Sequence, residues 1–192
     1  MVLTSGGFWL LGGAILLISI ASYGLVFQFQ AVLISLGKDG HTAMLYLSVL
    51  ALSAALSRLF VGRLLDLDRP ERWAALLIFL AALGPALLLW PTPGSALITL
   101  GVLLIGLSIG AELDLMSFFC ARLFGIQRYS VVYGMLSIFF YFGTAMGAIG
   151  FGAIYDVTGT FRPALAAMAG LLILSALLFL SIERLGKRPS RR

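Results

Sequence analysis

Six long apolar runs separated by short polar breaks make up nearly all of this 192-residue chain. They fall at Phe8 to Leu36, Ala43 to Leu65, Trp73 to Trp90, Ala96 to Phe119, Val131 to Tyr155 and Pro163 to Ile182. A helix of about 20 apolar residues crosses the roughly 30 Å hydrocarbon core of a bilayer. Each run therefore predicts one transmembrane helix, and the fold class is all-α, a polytopic membrane bundle of six spans. The first run exceeds what a crossing needs, which predicts tilt, a kink near Gly24 or projection beyond the membrane.

The polar breaks sort by charge. Lys and Arg gather in short loops on the cytoplasmic side of a membrane. One side here receives Arg63, Arg69 and Arg72 after run two, Arg122 and Arg128 after run four, and Arg184, Lys187, Arg188, Arg191 and Arg192 after run six. The other side receives Lys38 and Arg162, and Arg58 stays within a span, which accounts for all 13 cations. Both termini are therefore expected in the cytoplasm of a cell (inner or plasma) membrane protein. The N-terminal segment has no side-chain cation of its own, which fits a preceding half joined through a cytoplasmic loop.

The breaks also repeat. Gly62-x-x-x-Asp66 ends the second run and Gly152-x-x-x-Asp156 ends the fifth, 90 residues later. The other helix starts keep an offset close to this value. Units of three helices at that spacing must enter the membrane from opposite sides, so the chain reads as an inverted 3+3 repeat, with units about 8–91 and 96–183 and a cytoplasmic tail 184–192. Inverted repeats are common in secondary transporters, whose substrate sites lie near the midplane at the repeat interface.

Composition narrows the function further. With 61% hydrophobic and 11% charged residues, the chain is far from the roughly 25% charged usage of soluble domains. The net charge of +5 belongs to membrane-flanking loops and does not indicate nucleic acid. No Lys or Arg precedes residue 38 and the first run is too long for a signal h-region, so a cleaved leader is not expected. The single cysteine, Cys120, cannot form an intrachain disulfide and reads as a small apolar residue. One histidine, His41, placed in an external loop, can build neither a metal site nor the Ser-His dyad of an intramembrane protease. Gly106-x-Ser108-x-Gly110 matches a hydrolase nucleophile elbow, but that elbow needs a strand-turn-helix context, and an apolar helix does not supply it. Neither enzymatic activity nor a cofactor or metal is expected.

Several polar side chains inside the spans are candidates for chemistry. Arginine in mid-span costs about 2.5–3.5 kcal/mol on insertion scales and usually faces a cavity or a partner, which singles out Arg58; a structural ion pair or snorkelling is the alternative. Glu112 lies at a similar depth to Arg58, so the two can pair. Asp114 is about 200° further round the helix, so one carboxylate serves a cavity and the other a packed interface, or both hold the cytoplasmic helix ends closed. Asp66, Arg63 and Arg122 at those ends complete the candidates for coupling or gating. Gln28, Gln30 and Tyr23 in helix one, and Tyr141 with Tyr133 in helix five, either bind substrate or join helices. Gly143, Gly147, Gly150 and Gly152 suit close helix approach.

Longer motifs carry a family resemblance. RLFVGRLLDLDRPER resembles the loop signature of the major facilitator superfamily in its copy between the eighth and ninth helices. GAELDLMSFFCARLFGIQRYSVVYG, from Gly110 to Gly134, is similar to the tenth and eleventh helices of bacterial monocarboxylate and oxalate-formate type members. IYDVTGTFR resembles their following external loop and FQFQAVLISLGKDG the end of their seventh helix. The resemblance implies the C-terminal half of a twelve-helix carrier, in which Arg58 meets the carboxylate of a small organic anion. The other six helices would come from a missing N-terminal half or a second copy of the chain. Three positions depart from the pattern: Leu67 follows Asp66 in place of a basic residue, Ala148 replaces a frequent proline, and Ala54 replaces an acidic residue, so proton coupling through position 54 is not available. A truncated or non-transporting membrane scaffold is the alternative function, against which the insertion cost of Arg58 and Glu112 argues.

Overall fold

The computed structural model describes residues 2–186; the tail cations Lys187, Arg188, Arg191 and Arg192 lie outside the described residues. Six α-helices follow in order: α1 (Gly6–Ser35), α2 (Gly40–Leu65), α3 (Pro70–Leu88), α4 (Ser95–Phe124), α5 (Tyr129–Thr158) and α6 (Arg162–Gly186). All six are long and apolar enough to span a membrane, which agrees with the all-α, six-span reading. Each helix starts one to three residues before its apolar run, and at α2 a side-chain cap accounts for this. Asp39 caps α2 by accepting from the Thr42 N–H at 3.1 Å, and this draws His41 into the first turn of α2, not into the loop where the sequence placed it. Pro70 opens α3, the position where its missing N–H costs nothing. Gly159 ends α5 in the left-handed region, φ 67°.

Sequence neighbours within each three-helix unit pack against each other only slightly. Helix α1 lies mainly against α5 and α6, α4 lies mainly against α2 and α3, and α3 meets α6. Each three-helix unit is thus assembled around the leading helix of the other. Exchanging α1 with α4, α2 with α5 and α3 with α6 reproduces the same set of neighbours, which is what an internal two-fold between the repeats requires.

Equivalent crossings are closed by different chemistry. Where α5 meets α1, a Cβ at Gly143 would meet the Leu16 carbonyl oxygen at 2.8 Å, and one at Gly147 would strike the Ile20 carbonyl. Gly24 faces Gly147 and Phe151 across the same contact, so it serves a close crossing in a helix that runs unbroken from Gly6 to Ser35. Where α2 meets α4, Ser53 and Ser57 donate to the carbonyls of Leu103 and Leu107, at 2.6 and 2.9 Å. Where α3 meets α4, Gly84 lies on Gly101; where α6 meets α1, Ser175 donates to the Ala14 carbonyl at 3.0 Å. In lipid, helix association depends on such close approach and on interhelical hydrogen bonds, each worth about 0.6 kcal/mol on average.

At the end where the α2–α3 connection lies, two ion pairs tie helix ends together. Arg72 Nε pairs with Glu183 at 2.9 Å, joining α3 to α6, and Arg122 Nε pairs with Glu71 at 3.3 Å, joining α4 to α3.

Candidate functional site

The polar residues of the spans fall into two groups, one inside the bundle and one on its open side. The inner group lies where α1 crosses α4. Ser19 and Ser22 sit one turn apart on α1, and Ser108 and Glu112 one turn apart on α4; all four are wholly buried. The hydroxyls of Ser22 and Ser108 are 3.1 Å apart. Ser19 is hydrogen-bonded to Glu112 Oε1 and also donates to the Ile15 carbonyl at 2.9 Å. Among the described residues Glu112 Oε2 has no hydrogen-bond partner. A carboxyl buried in this way is costly to keep unless it is paired, so this orphaned oxygen marks a position held for a reason other than packing.

The outer group lines a cleft of ≈ 400 Å³ between α2 and α4, formed by Arg58, Gly62 and Asp66 on one side and Asp114, Ser117 and Phe118 on the other. Arg58 is exposed and sits about 10 Å from the helix end at Leu65, by the rise of seven residues. No carboxylate lies within ion-pair distance of its guanidinium among the described residues. This corrects the expected pair between Arg58 and Glu112. Equal depth does not bring two side chains together when their helices turn them in different directions: Glu112 faces α1, and Asp114, two residues on, faces the cleft with Arg58.

Tyr23 links the two groups. It is half-buried on α1, within electrostatic reach of Glu112, Arg58 and Tyr141, and it packs edge-on against Phe140 of α5 with ring centroids 5.4 Å apart. Tyr141 beside it is 69% exposed, so its ring is available to a partner. Tyr133 instead stacks on Tyr129 at 5.4 Å, and Tyr129 shares a 2.9 Å hydrogen bond with Ser117.

The remaining candidates are dispersed. Gln28 lies near Gly152 of α5, and Gln30 lies near Gly40 at the start of α2, so the two amides do not converge on one site. Arg63 is exposed at the end of α2, away from the cleft lining. Arg122 is engaged with Glu71. Cys120 is buried with its thiol 3.6 Å from the Tyr129 carbonyl. Gly106 and Gly110, the false hydrolase elbow, are contact points for α2: a Cβ on either would run into Ser53 or Ser57.

Sequence reasoning missed the three serines around Glu112 and both ion pairs. A signal for the first existed: Ser19 and Ser22 are spaced i, i+3 in an otherwise apolar span, which sets both hydroxyls on one face.

A family model described as Major Facilitator Superfamily matches residues 2–192, the chain almost end to end. No curated protein matches it.

Proposed function

Because the chain belongs to the major facilitator superfamily, and is therefore a multi-pass membrane protein of a transport family, we propose that it carries a small, monocarboxylate-like organic anion by alternating access. In this reading it is one six-helix half of a twelve-helix carrier, completed by an N-terminal half or by a second copy, in the cell membrane with both termini in the cytoplasm. The repeat units of about 8–91 and 96–183 act as one bundle that rocks against the other.

The observation that carries the reading is Arg58, an arginine within a span, open to the cleft and without an ion pair among the described residues although Asp66 and Asp114 line the same walls. Its planar fork suits bidentate contact with a carboxylate. Tyr141 and Tyr23 supply a hydroxyl and an aromatic edge nearby. Glu112, turned away from the cleft and bonded to Ser19, is placed to couple anion binding to the α1–α4 crossing: any change in its proton occupancy alters a bond that joins the leading helices of the two repeats. Asp114 and Asp66 govern the charge at the mouth of the cleft, with Arg63 and Arg122 at the helix ends.

The test is uptake of radiolabelled formate, lactate and oxalate into proteoliposomes with and without a pH gradient. Arg58→Lys and Arg58→Ala should abolish uptake at unchanged protein incorporation. Glu112→Gln should remove its pH dependence. Normal uptake by both Arg58 variants would reject Arg58 as the anion contact, and equal pH dependence in Glu112→Gln would reject coupling at that residue.

A further inference from the structure

Helices α2 and α3 touch little, and a groove of ≈ 220 Å³ opens between them on the outer surface of the bundle. Phe60 and Leu64 of α2 form one wall, Trp73, Leu76 and Leu80 of α3 the other, and Leu107 of α4 the floor. Its single hydroxyl, Ser57, already donates to the Leu107 carbonyl, so apart from the Trp73 indole N–H the groove offers apolar contact. From Trp73 to Leu80 it runs about 10 Å along the helix axis. At its end Trp73 and Leu76 also line a second cleft, formed by Asp68, Arg69 and Arg72 at the α2–α3 connection. An apolar slot thus leads directly into two guanidinium groups.

Arg69 has an unusual backbone. It is the one non-glycine among the described residues with positive φ, 63°, a costly conformation that points to function when no local need explains it. It is the N-cap residue of α3, its carbonyl accepting from the Arg72 N–H at 3.0 Å while its side chain makes no capping bond, and its guanidinium makes no ion pair among the described residues. Arg184 lies beside Arg72 and Glu183 on the next stretch of surface. Arg72 is held through its Nε by Glu183, so Arg69, with Asp68 beside it, is the cation of the second cleft left without an ion pair among the described residues, and the terminal nitrogens of Arg72 extend the positive surface toward Arg184.

We infer that the groove holds one acyl chain of an anionic glycerophospholipid from the surrounding bilayer, with its phosphate seated against Arg69 and Arg72. Basic pockets between transmembrane helices are where acidic headgroups bind, and the apolar slot selects a lipid over a soluble phosphate. The lipid fills the gap that α2 and α3 leave, and so supports the helix that carries Arg58.

The test is native mass spectrometry of the purified, delipidated chain with equal amounts of dioleoylphosphatidylglycerol and dioleoylphosphatidylcholine. The anionic phosphatidylglycerol should be retained about fivefold better than the zwitterionic phosphatidylcholine, the preference that one basic residue near a headgroup supplies. Arg69→Gly should abolish that preference; it suits the left-handed backbone, so misfolding does not confound it. Leu76→Trp should fill the slot and lower retention of both lipids, whereas Leu174→Trp, on the exposed face of α6, should change neither. Millimolar inorganic phosphate should not displace the lipid. Equal retention of the two lipids by the unaltered chain, an unchanged preference in Arg69→Gly, equal loss in Leu76→Trp and Leu174→Trp, or displacement by phosphate would each overturn the assignment.

Discussion

The crossing of α1 and α5 predicts a sharp difference between two glycines on one helix. At Gly147 a Cβ would meet the Gly24 nitrogen at 2.9 Å and the Ile20 carbonyl carbon at 3.0 Å, with the Ile20 oxygen nearer still. These are backbone atoms, which cannot turn aside, so Gly147→Ala forces the two helices apart. Overpacking of this kind costs about 1–3 kcal/mol, a shift of roughly 5- to 150-fold in the unfolding equilibrium. At Gly152, five residues on, the nearest atom is the Nε2 of Gln28 at 3.5 Å, an ordinary contact with the end of a flexible side chain. There the helix preference for alanine over glycine, up to about 1 kcal/mol, meets no opposing clash. Unfolding in mixed micelles of mild detergent and SDS, followed by far-UV circular dichroism, should show Gly147→Ala destabilised and Gly152→Ala equal to or more stable than the unaltered chain. Equal midpoints for the two variants would refute the claim that α1 and α5 are in backbone contact at Gly147.

Four further outcomes can be checked. Ser57→Ala removes one interhelical bond at the α2–α4 crossing and should cost about 0.6 kcal/mol in the same micellar assay. Glu112→Leu removes the orphaned Oε2 and leaves Ser19 its bond to the Ile15 carbonyl, so stability should hold or rise; a loss above about 2 kcal/mol would mean the carboxyl is structurally required. Arg122→Gln leaves the buried Glu71 carboxyl without its ion-pair partner and should cost about 1–3 kcal/mol, read as the shift in midpoint. Hydrogen bonds from Thr42 hold the Asp39 carboxyl below the ordinary aspartate value; a depressed folded-state value gives stability that is present above about pH 4 and fades as pH falls through the folded-state value. Asp39→Asn should keep the cap and flatten that acid limb of a pH titration of helix content.

Much of the architecture is legible in the sequence because a bilayer demands it. Each span has to be apolar for about 20 residues, so six helices and their approximate ends follow from hydropathy alone; the ends differ where the Asp39 cap and Pro70 start a helix early, where α4 runs on past Phe119 to Phe124 and where α3 stops at Leu88. Neighbour relations are not legible in this way. Nothing in the α1 sequence states that its partners are α5 and α6 and not α2, since any apolar face suits any other in lipid. The spacing of small residues comes closest: Ser53 and Ser57 on α2, Gly106 and Gly110 on α4, and Gly143 and Gly147 on α5 all recur at i, i+4, the period of a helix ridge. The site was half legible for the same reason. Depth along the membrane follows from residue number, which brought Arg58 and Glu112 to one level. Azimuth depends on the packing partner, and it sent Glu112 to Ser19 and Asp114 to the cleft.

The exchange of partners between the two units governs how the protein is made. Roughly 90 residues separate the end of α1 from the start of α5. At a synthesis rate of 5–20 residues per second, α1 waits on the order of 5–20 s in the bilayer before its main contact surface exists. During that interval Ser19 has only the Ile15 carbonyl of its own helix, the interhelical partners of Ser19 and Ser22 arrive with Ser108 and Glu112 of α4, and Gly24 faces lipid until α5 follows. The first three helices thus stay without their main packing partners until the second unit is made, and the bundle closes as one piece only when α6 joins α1 and α3.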